Sequence, residues 1–462
     1  MKHFKYVVTL FLILSFTITS TLSVYATASG ESALNVQYYS ENIHSEDSGW
    51  PLSPEIVGEA GIVMDADTGT ILYSKNAHQT MYPASVTKLL TTLLVLENAS
   101  LDEMVLFSND AVFSIPRNSS NIAINPGEYL SVENCLYGLL LASANEVANA
   151  LAEHVSGSMP DFVTLMNTRA KELGAINSNF VNANGLHDDN HYTTCYDIAT
   201  ICRTLIDNPV FLNINGTTSY TIPPTNLQPL KRPVNTTHKL LRSGSLKYPG
   251  CFGGKTGYTD TAGNTLVTFA TRNDMTLICV VMKSDAEHIY SDTTALLDYG
   301  FSYFQKTMIS AEETSFDFIK DSVPVIDSSL FNNPNPNISL SKNDYVCMPV
   351  TLSFDDLDYT LIPNASSSNL ADIIYTYKGH FVGSASLTIT PNDTPAKAPR
   401  AIPPENTDNI IYLKPVYFLI AGIVVIVIII YIVYLKLSRV TRMRNRLIRQ
   451  RKRLQRKKNR FY

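Results

Sequence analysis

Three short motifs follow one another along this chain, and each carries side chains that can move a proton. They are Ser85-Val86-Thr87-Lys88, Ser143-Ala144-Asn145 and Lys255-Thr256-Gly257. A serine hydroxyl becomes a useful nucleophile when a neighbouring base takes its proton. A lysine amine can be that base when burial or a second cation keeps it neutral. The set therefore predicts acyl transfer by a serine nucleophile and a lysine base.

The first motif places the nucleophile and the base on one helical face. Ser85 and Lys88 are three residues apart at the start of a helix predicted over residues 88–96, so the amine can reach the hydroxyl. The helix N-terminus also favours a developing oxyanion. A helix cap at Ser85 is the structural alternative, and the same spacing recurs from Ser339 to Lys342.

The second motif interrupts an apolar stretch, 136–142, inside a helix predicted over 135–155. Polar side chains in a buried helix cost stability unless they find partners. We expect Ser143 to relay a proton to the leaving amine and Asn145 to hold Lys88 and the substrate amide. A turn between two helices, capped by Ser143, is the alternative.

The third motif lies in a glycine-rich segment, 253–260, ahead of a predicted strand at 265–271. Glycine at a strand, here Gly257, lets another backbone approach closely, and a sheet edge can bind an extended peptide. Lys255 and Thr256 can meet a carboxylate, and Lys255 can lower the pKa of Lys88. An ordinary glycine-rich hairpin is the alternative.

The surrounding patterns predict an α+β fold in which an antiparallel sheet carries a helical cluster. Besides the segments above, we expect a hairpin at 61–73, helices at 161–173, 197–205 and 292–304, and a strand at 276–282. Segments 345–352, 371–377 and 381–389 alternate like strands between turns rich in Pro, Asn, Asp and Ser, which predicts a small all-β C-terminal domain over 310–391.

The two ends predict export and a membrane anchor. Residues 1–28 have a basic start, an apolar stretch and small residues before a cleavage site, as in a signal peptide. A polar, proline-rich linker, 392–415, leads to an uncharged apolar run, 416–435, of bilayer-spanning length. The tail 436–462 has 13 Lys/Arg and no Asp/Glu, which predicts a single-pass protein with a cytoplasmic C-terminus.

The charge and the cysteine pattern limit which partners and cofactors we expect. Without the tail and the leader, the chain carries 21 basic and 41 acidic residues, which argues against nucleic-acid binding by the exported part. The six cysteines show no metal-like clustering, and whether any pair forms a disulfide is left open. We expect neither a metal nor an organic cofactor, since lysine supplies the base.

Residues 52–306 resemble the serine D-alanyl-D-alanine carboxypeptidases, which are low-molecular-mass penicillin-binding proteins and share their three motifs with serine β-lactamases. Six stretches carry the resemblance: 64–69, 82–88, 141–145, 184–188, 254–259 and 296–301. The family layout also includes a β-rich C-terminal domain and a membrane anchor.

The resemblance implies a mechanism. Ser85 would attack the carbonyl between two D-alanines of a peptidoglycan stem peptide, and Lys88 would accept its proton. The backbone N–H groups of Ser85 and Tyr258 would form the oxyanion hole. Lys255 and Thr256 would hold the terminal carboxylate, and penicillin would acylate the serine. The implied partners are thus peptidoglycan, β-lactams and the membrane.

Two positions differ from the family pattern. An arginine usual about seven residues before the Leu-Leu of the last helix is absent near His288, and Asn184 replaces a histidine before Gly-Leu. Other interpretations are a serine β-lactamase, a D,D-endopeptidase using the same residues, and a catalytically degenerate peptidoglycan-binding or scaffold protein.

Overall fold

The computed structural model describes residues 49–313, 337–363 and 369–390. The predicted signal peptide, linker, membrane-spanning run and basic tail lie outside these residues. Within the described part of the chain, no helix combines the length and apolar character needed to cross a bilayer.

The first sheet is antiparallel and has the strand order β2-β1-β9-β8-β7. Its strands are β1 Ala60–Asp65, β2 Ile71–Lys75, β7 Cys251–Thr259, β8 Gly263–Arg272 and β9 Met275–Ser284. All of β1 is buried, so both faces of this strand are covered. The predicted hairpin 61–73 and the predicted strands 265–271 and 276–282 are confirmed, and β7 forms an edge of this sheet.

Turn chemistry explains the β1–β2 hairpin. The Asp65 carboxylate accepts hydrogen bonds from the backbone N–H and hydroxyl of Thr68, at 2.9 and 2.6 Å. Gly69 then adopts a φ of +79°, a left-handed conformation that glycine tolerates without a Cβ clash. The carboxylate thus closes the turn locally.

Helices cover this sheet and form the cluster beside it. They are α1 Lys88–Asn98, α2 Asn109–Phe113, α3 Val132–Leu141, α4 Asn145–Ser156, α5 Met159–Glu172, α6 Cys195–Ile206, α7 Pro209–Asn215 and α8 Ile289–Tyr303, with α9 Ile309–Glu312 after the last of them. Ser158 and Thr194 begin α5 and α6 by accepting hydrogen bonds from backbone N–H groups, which satisfies donors that a helix start leaves free. The helices predicted at 88–96, 161–173, 197–205 and 292–304 are confirmed.

The single helix predicted over 135–155 is wrong. The chain forms α3 and α4 instead, and Ser143 between them has a φ of +60°, which a continuous right-handed helix excludes. The apolar spacing runs through the break because both helices are buried, so periodicity alone does not mark the turn.

A second sheet has the order β10-β12-β15-β14-β13, with β11 paired to β15. Its strands are β10 Phe304–Met308, β11 Asn337–Leu340, β12 Tyr345–Pro349, β13 Asp358–Pro363, β14 Asn369–Tyr377 and β15 His380–Thr390. The three predicted strand segments of this region are confirmed. The sheet also takes in β10, which precedes the predicted domain start at residue 310.

There are also two small antiparallel sheets of two strands each: β3 Met104–Leu106 with β4 Tyr129–Ser131, and β5 Ser219–Ile222 with β6 Arg232–Asn235. All six cysteines are free thiols, five of them buried. Cys251 is half-buried and begins β7.

Candidate active site

Ser85 lies in a one-turn 3-10 segment, Ala84–Thr87, that leads directly into α1. Lys88 is the first residue of α1, and its Nζ is 2.9 Å from Ser85 Oγ. Ala84 has a φ of +49°, a strained conformation for a residue with a Cβ. This turn presents the serine, which is half-buried, to a cleft.

Lys88 is completely buried and contacts three oxygen atoms. Besides Ser85 Oγ, its Nζ donates to Asn145 Oδ1 at 2.7 Å and to the Asn184 carbonyl at 2.5 Å. Burial, assisted by the charge of Lys255, holds the pKa of Lys88 well below its usual value. A neutral amine has two N–H groups and one lone pair. Since two of the three oxygens can only accept, the lone pair is left for the serine hydroxyl.

Ser143 and Lys255 form a second pair across the same cleft. The Lys255 Nζ donates to Ser143 Oγ at 3.0 Å and to the Thr256 carbonyl at 2.7 Å. Lys255 is also buried, and burial lowers the pKa of its amine to about 7. The turn between α3 and α4 therefore brings one serine to the lysine of β7.

Gly257 brings β7 against the nucleophile. A Cβ at this position would lie 2.8 Å from the Ser85 backbone nitrogen and 2.3 Å from Thr265 Oγ1. Only glycine leaves room for this approach. The neighbouring Tyr258 side chain is 61% exposed and lies at the cleft. The backbone N–H of Ser85 therefore lies beside β7, the edge strand of the first sheet.

A buried hydrogen-bond chain supports the serine turn. The backbone N–H of Val181 donates to His191 Nδ1 at 3.1 Å, so Nε2 carries the proton and donates to Thr87 Oγ1 at 2.8 Å. Thr87 Oγ1 in turn donates to the Ala84 carbonyl at 2.8 Å. Burial lowers the pKa of His191 to about 4, which keeps this ring neutral near pH 7. These hydrogen bonds therefore hold Ala84, the strained residue before Ser85, in its conformation.

The cleft has a volume of about 420 Å³. Six of the eight sequence-predicted site residues line it, and the remaining two, Lys88 and Lys255, are buried within hydrogen-bond distance of lining serines. The six are Ser85, Ser143, Asn145, Thr256, Gly257 and Tyr258. In the part of the chain that the structure describes, no cluster of three or more His, Cys, Asp or Glu could hold a metal ion.

Sequence reasoning missed several residues of this site. Thr237 Oγ1 lies 2.6 Å from Thr256 Oγ1, and Lys239 and Tyr290 also line the cleft. None belongs to a motif, so no sequence signal identified them. The second Ser-x-x-Lys, by contrast, begins at Ser339 in β11 of the other sheet and takes no part in the cleft.

Comparison with known proteins identifies the family. A family model described as D-alanyl-D-alanine carboxypeptidase matches residues 48–286. The chain belongs to this carboxypeptidase family. D-alanyl-D-alanine carboxypeptidase DacF of Bacillus subtilis is 34% identical over 253 residues, which cover 54% of this chain and 63% of the relative. The match thus spans less than two thirds of that relative's length.

Solved structures give the same result for the fold. A Streptomyces DD-transpeptidase is similar with a TM-score of 0.51 and 32% identity, covering 55% of this chain and all of the other. Penicillin binding protein 6B of Escherichia coli covers 75% of this chain and 99% of its own, with a TM-score of 0.56 and 24% identity. The second likeness concerns the fold alone, and it extends over more of this chain than the first one does.

The structure shows the contacts of His288 and Asn184, the two positions that differ from the carboxypeptidase family pattern. His288 is bonded to Asp285, with the ring Nδ1 2.9 Å from the carboxylate, and it is not among the cleft-lining residues. Asn184 contributes its backbone carbonyl to Lys88, while its side chain donates to Asn149 Oδ1 at 2.9 Å. Asn184 therefore contacts the proposed base directly, whereas His288 does not line the cleft.

Proposed function

We propose that this chain is a penicillin-binding serine D-alanyl-D-alanine carboxypeptidase that removes the terminal D-alanine from peptidoglycan stem peptides. One observation carries the proposal: the amine of Lys88, which is fully buried and has a lowered pKa, lies 2.9 Å from the hydroxyl of Ser85, a half-buried residue that lines the cleft. Such a pair can generate a nucleophile near neutral pH without a histidine.

In the proposed acylation, Ser85 Oγ attacks the carbonyl carbon between the two D-alanines while Lys88 takes the hydroxyl proton. The backbone N–H groups of Ser85 and Tyr258 stabilise the negative charge on the carbonyl oxygen, a large contribution in such sites. The tetrahedral intermediate then expels the amine of the last D-alanine, leaving an ester on Ser85.

Protonation of the departing amine is assigned to Ser143. Its hydroxyl lies between the cleft and the Lys255 amine, so it can pass a proton to the leaving group and receive one from Lys255. Asn145 orients Lys88 through its side-chain oxygen. After acylation, Lys88 releases its proton to solvent and Lys255 regains one from solvent, so both amines return to their starting states. In deacylation, Lys88 accepts a proton from the attacking water and gives it to the Ser85 oxygen as the ester bond breaks.

The proposal extends to location. The apolar run 416–435 would anchor the chain, with the catalytic part on the outer side and the basic tail in the cytoplasm. The charge pattern of the sequence supports this orientation.

The deciding experiment measures D-alanine release from a peptide ending in Lys-D-Ala-D-Ala by the purified full chain. Ser85→Ala should reduce release below about one thousandth of the wild-type rate, because the acyl-enzyme cannot form. Ser339→Ala is the matched control, since it alters the other Ser-x-x-Lys and should change nothing.

Penicillin provides a second measurement on the same variants. A long-lived penicilloyl ester on the wild-type chain, absent from Ser85→Ala, supports the carboxypeptidase. Rapid penicillin turnover without D-alanine release would instead indicate a β-lactamase. Undiminished D-alanine release by Ser85→Ala would refute the proposed nucleophile.

A further inference from the structure

The turn 182–186 supplies one of the three oxygen atoms that surround the Lys88 amine. Its Asn184 backbone carbonyl accepts a hydrogen bond from Lys88 Nζ at 2.5 Å. The same turn packs against the serine turn, since Gly185 has a φ of +82° and a Cβ there would overlap the Ala84 carbonyl oxygen. The position of this turn therefore decides whether its carbonyl reaches the amine.

The side chain of Asn182 fixes the shape of the turn. Its Oδ1 accepts from the backbone N–H of Gly185 at 2.7 Å, and its Nδ2 donates to the Leu186 carbonyl at 2.9 Å. Asparagine commonly closes turns with such local bonds. Because these bonds join residues at most four positions apart, they do not fix where the turn lies relative to the helices.

Asn149 of α4 provides a contact from outside the turn. Asn184 Nδ2 donates to Asn149 Oδ1 at 2.9 Å, and Asn184 Oδ1 accepts from the Leu186 backbone N–H at 2.8 Å. Asn149 Nδ2 donates in turn to the Ala111 carbonyl at 3.3 Å and to Ser114 Oγ at 3.1 Å. The oxygen and the nitrogen of both amides therefore have partners.

The two amides are buried beside the base. Asn149 and Asn184 are each 4% exposed, and a buried polar network with every partner present is rigid. Asn149 lies four residues after Asn145 on the same face of α4, and Asn145 itself accepts from Lys88. Helix α4 thus holds the lysine twice, once directly and once through the two amides.

We propose that the side-chain amides of Asn149 and Asn184 form one positioning unit for the base Lys88. The unit holds the Asn184 carbonyl at the Lys88 amine, so that the lone pair of the amine is directed at Ser85. The inference rests on the proposed function in taking Lys88 as the base. Neither amide side chain takes part in proton transfer. When the carbonyl moves away, an N–H of the neutral amine is free to turn toward the serine in place of the lone pair.

The charged groups that act on Lys88 are separate from this unit. Burial is the main reason for the lowered pKa of Lys88. Lys255 of β7 lowers it further, and Glu146 of α4 opposes this effect. The ring of His191 has a pKa of about 4 and is neutral near pH 7. Since a carbonyl binds the ammonium form of lysine more strongly than the amine, loss of the Asn184 carbonyl should lower the pKa of Lys88 further.

The test measures the rate of penicillin acylation of the purified full chain as a function of pH. Asn149→Leu and Asn184→Leu replace the amides by side chains of similar size and keep every backbone carbonyl. Each should lower the maximal rate about three- to tenfold, because one hydrogen bond that orients the base is lost. Each should also move the acidic decline of the rate to lower pH. An acidic decline at the wild-type pH in both variants would overturn the proposal.

The double variant asks whether the two amides act as one unit. Asn149→Leu combined with Asn184→Leu should be no slower than the slower single variant, because the second substitution no longer has a partner to disturb. Rate losses that multiply would show two independent residues and would contradict the unit.

Ser158→Ala controls for lost stability. It removes the cap of α5, which should lower the urea midpoint, and Ser158 does not line the cleft. The pH dependence of its acylation rate should match the wild type. If its acidic decline shifted as in the amide variants, the shift would follow from lost stability and the positioning role would be refuted.

A measurement without penicillin or peptide separates this inference from the proposed function. The lysines of the full chain are isotope-labelled at Cε for NMR spectroscopy, and the Lys88 signal is identified by its loss in Lys88→Arg. This signal should titrate at lower pH in Asn149→Leu than in the wild type. A lower value supports the unit even if no D-alanine is released. An equal value overturns it, even if Ser85 proves to be the nucleophile.

Discussion

At the scale of single residues, the site depends on burial of two lysines rather than on a histidine. Removing an ammonium group from water penalises its charged form, which lowers the pKa. Lys88 shows this effect strongly, and Lys255 is lowered to about 7. A neutral Lys88 can accept the serine proton, while a charged Lys255 can supply one through Ser143.

The pH dependence of the penicillin acylation rate should reveal the titration of both Lys88 and Lys255. Lys88 must be neutral, so the rate should fall as pH drops through its lowered pKa. Lys255 is charged below about pH 7, so the rate should also fall as pH rises through that value. In Lys255→Arg the charge persists because guanidinium does not deprotonate in this range, and the alkaline decline should move to higher pH. A wild-type rate that is constant between about pH 5 and about pH 9 would contradict this assignment.

At the scale of elements, a buried ion pair joins two parts of the chain: the segment that precedes β4, and strand β6. The two terminal guanidinium nitrogens of Arg232 donate to the Glu128 carboxylate, at 2.5 and 2.9 Å. The Glu128 side chain is completely buried and that of Arg232 is 9% exposed. The carboxylate also accepts from the Thr225 hydroxyl and the Asn125 backbone, so three chain segments meet at one acidic group.

Glu128→Ala should destabilise the fold far more than loss of an exposed pair, because it leaves the Arg232 charge buried without compensation. We expect the free energy of unfolding to fall by about 3–5 kcal/mol. Glu97→Ala, which breaks the more exposed pair with Arg169, should cost about 1 kcal/mol or less. Urea denaturation of the two variants measures the difference, and similar midpoints would contradict the expectation.

At the scale of the whole molecule, the two sheets are joined at a distance from the cleft. The Tyr345 hydroxyl of β12 donates to the Asp65 carboxylate at 2.9 Å and lies 2.9 Å from Asp67 Oδ2. Asp65 ends β1, which β9 and β8 separate from β7 in the first sheet. The junction therefore affects stability without touching the nucleophile.

Tyr345→Phe should reduce stability and spare chemistry. Loss of a hydroxyl that donates to a buried carboxylate should lower the free energy of unfolding by about 1–3 kcal/mol. The rate of penicillin acylation should equal that of the wild type. Tyr303→Phe, at an exposed tyrosine of α8, is the matched control. A loss of acylation in Tyr345→Phe would show that the second sheet influences the cleft.

The sequence by itself determined the chemical groups and most of the elements. The three motifs identify the serines and lysines that meet at one cleft. Their side chains can transfer protons whatever fold carries them, so their chemistry is visible in the sequence. Apolar periodicity predicts the hairpin, the strands and most of the helices, because burial of a regular element leaves a regular pattern. The glycine of the third motif, Gly257, also indicates a close backbone approach.

Tertiary structure decided the distances, the pKa values and the contacts between remote segments. The turn at Ser143 is hidden from periodicity, since both flanking helices are buried. Thr237, Lys239 and Tyr290 reach the cleft from a loop and a helix that no motif marks. Burial of Lys88 and Lys255 arises only when the helical cluster packs against β7. Such properties depend on what surrounds a side chain in space, and that follows from the packed fold.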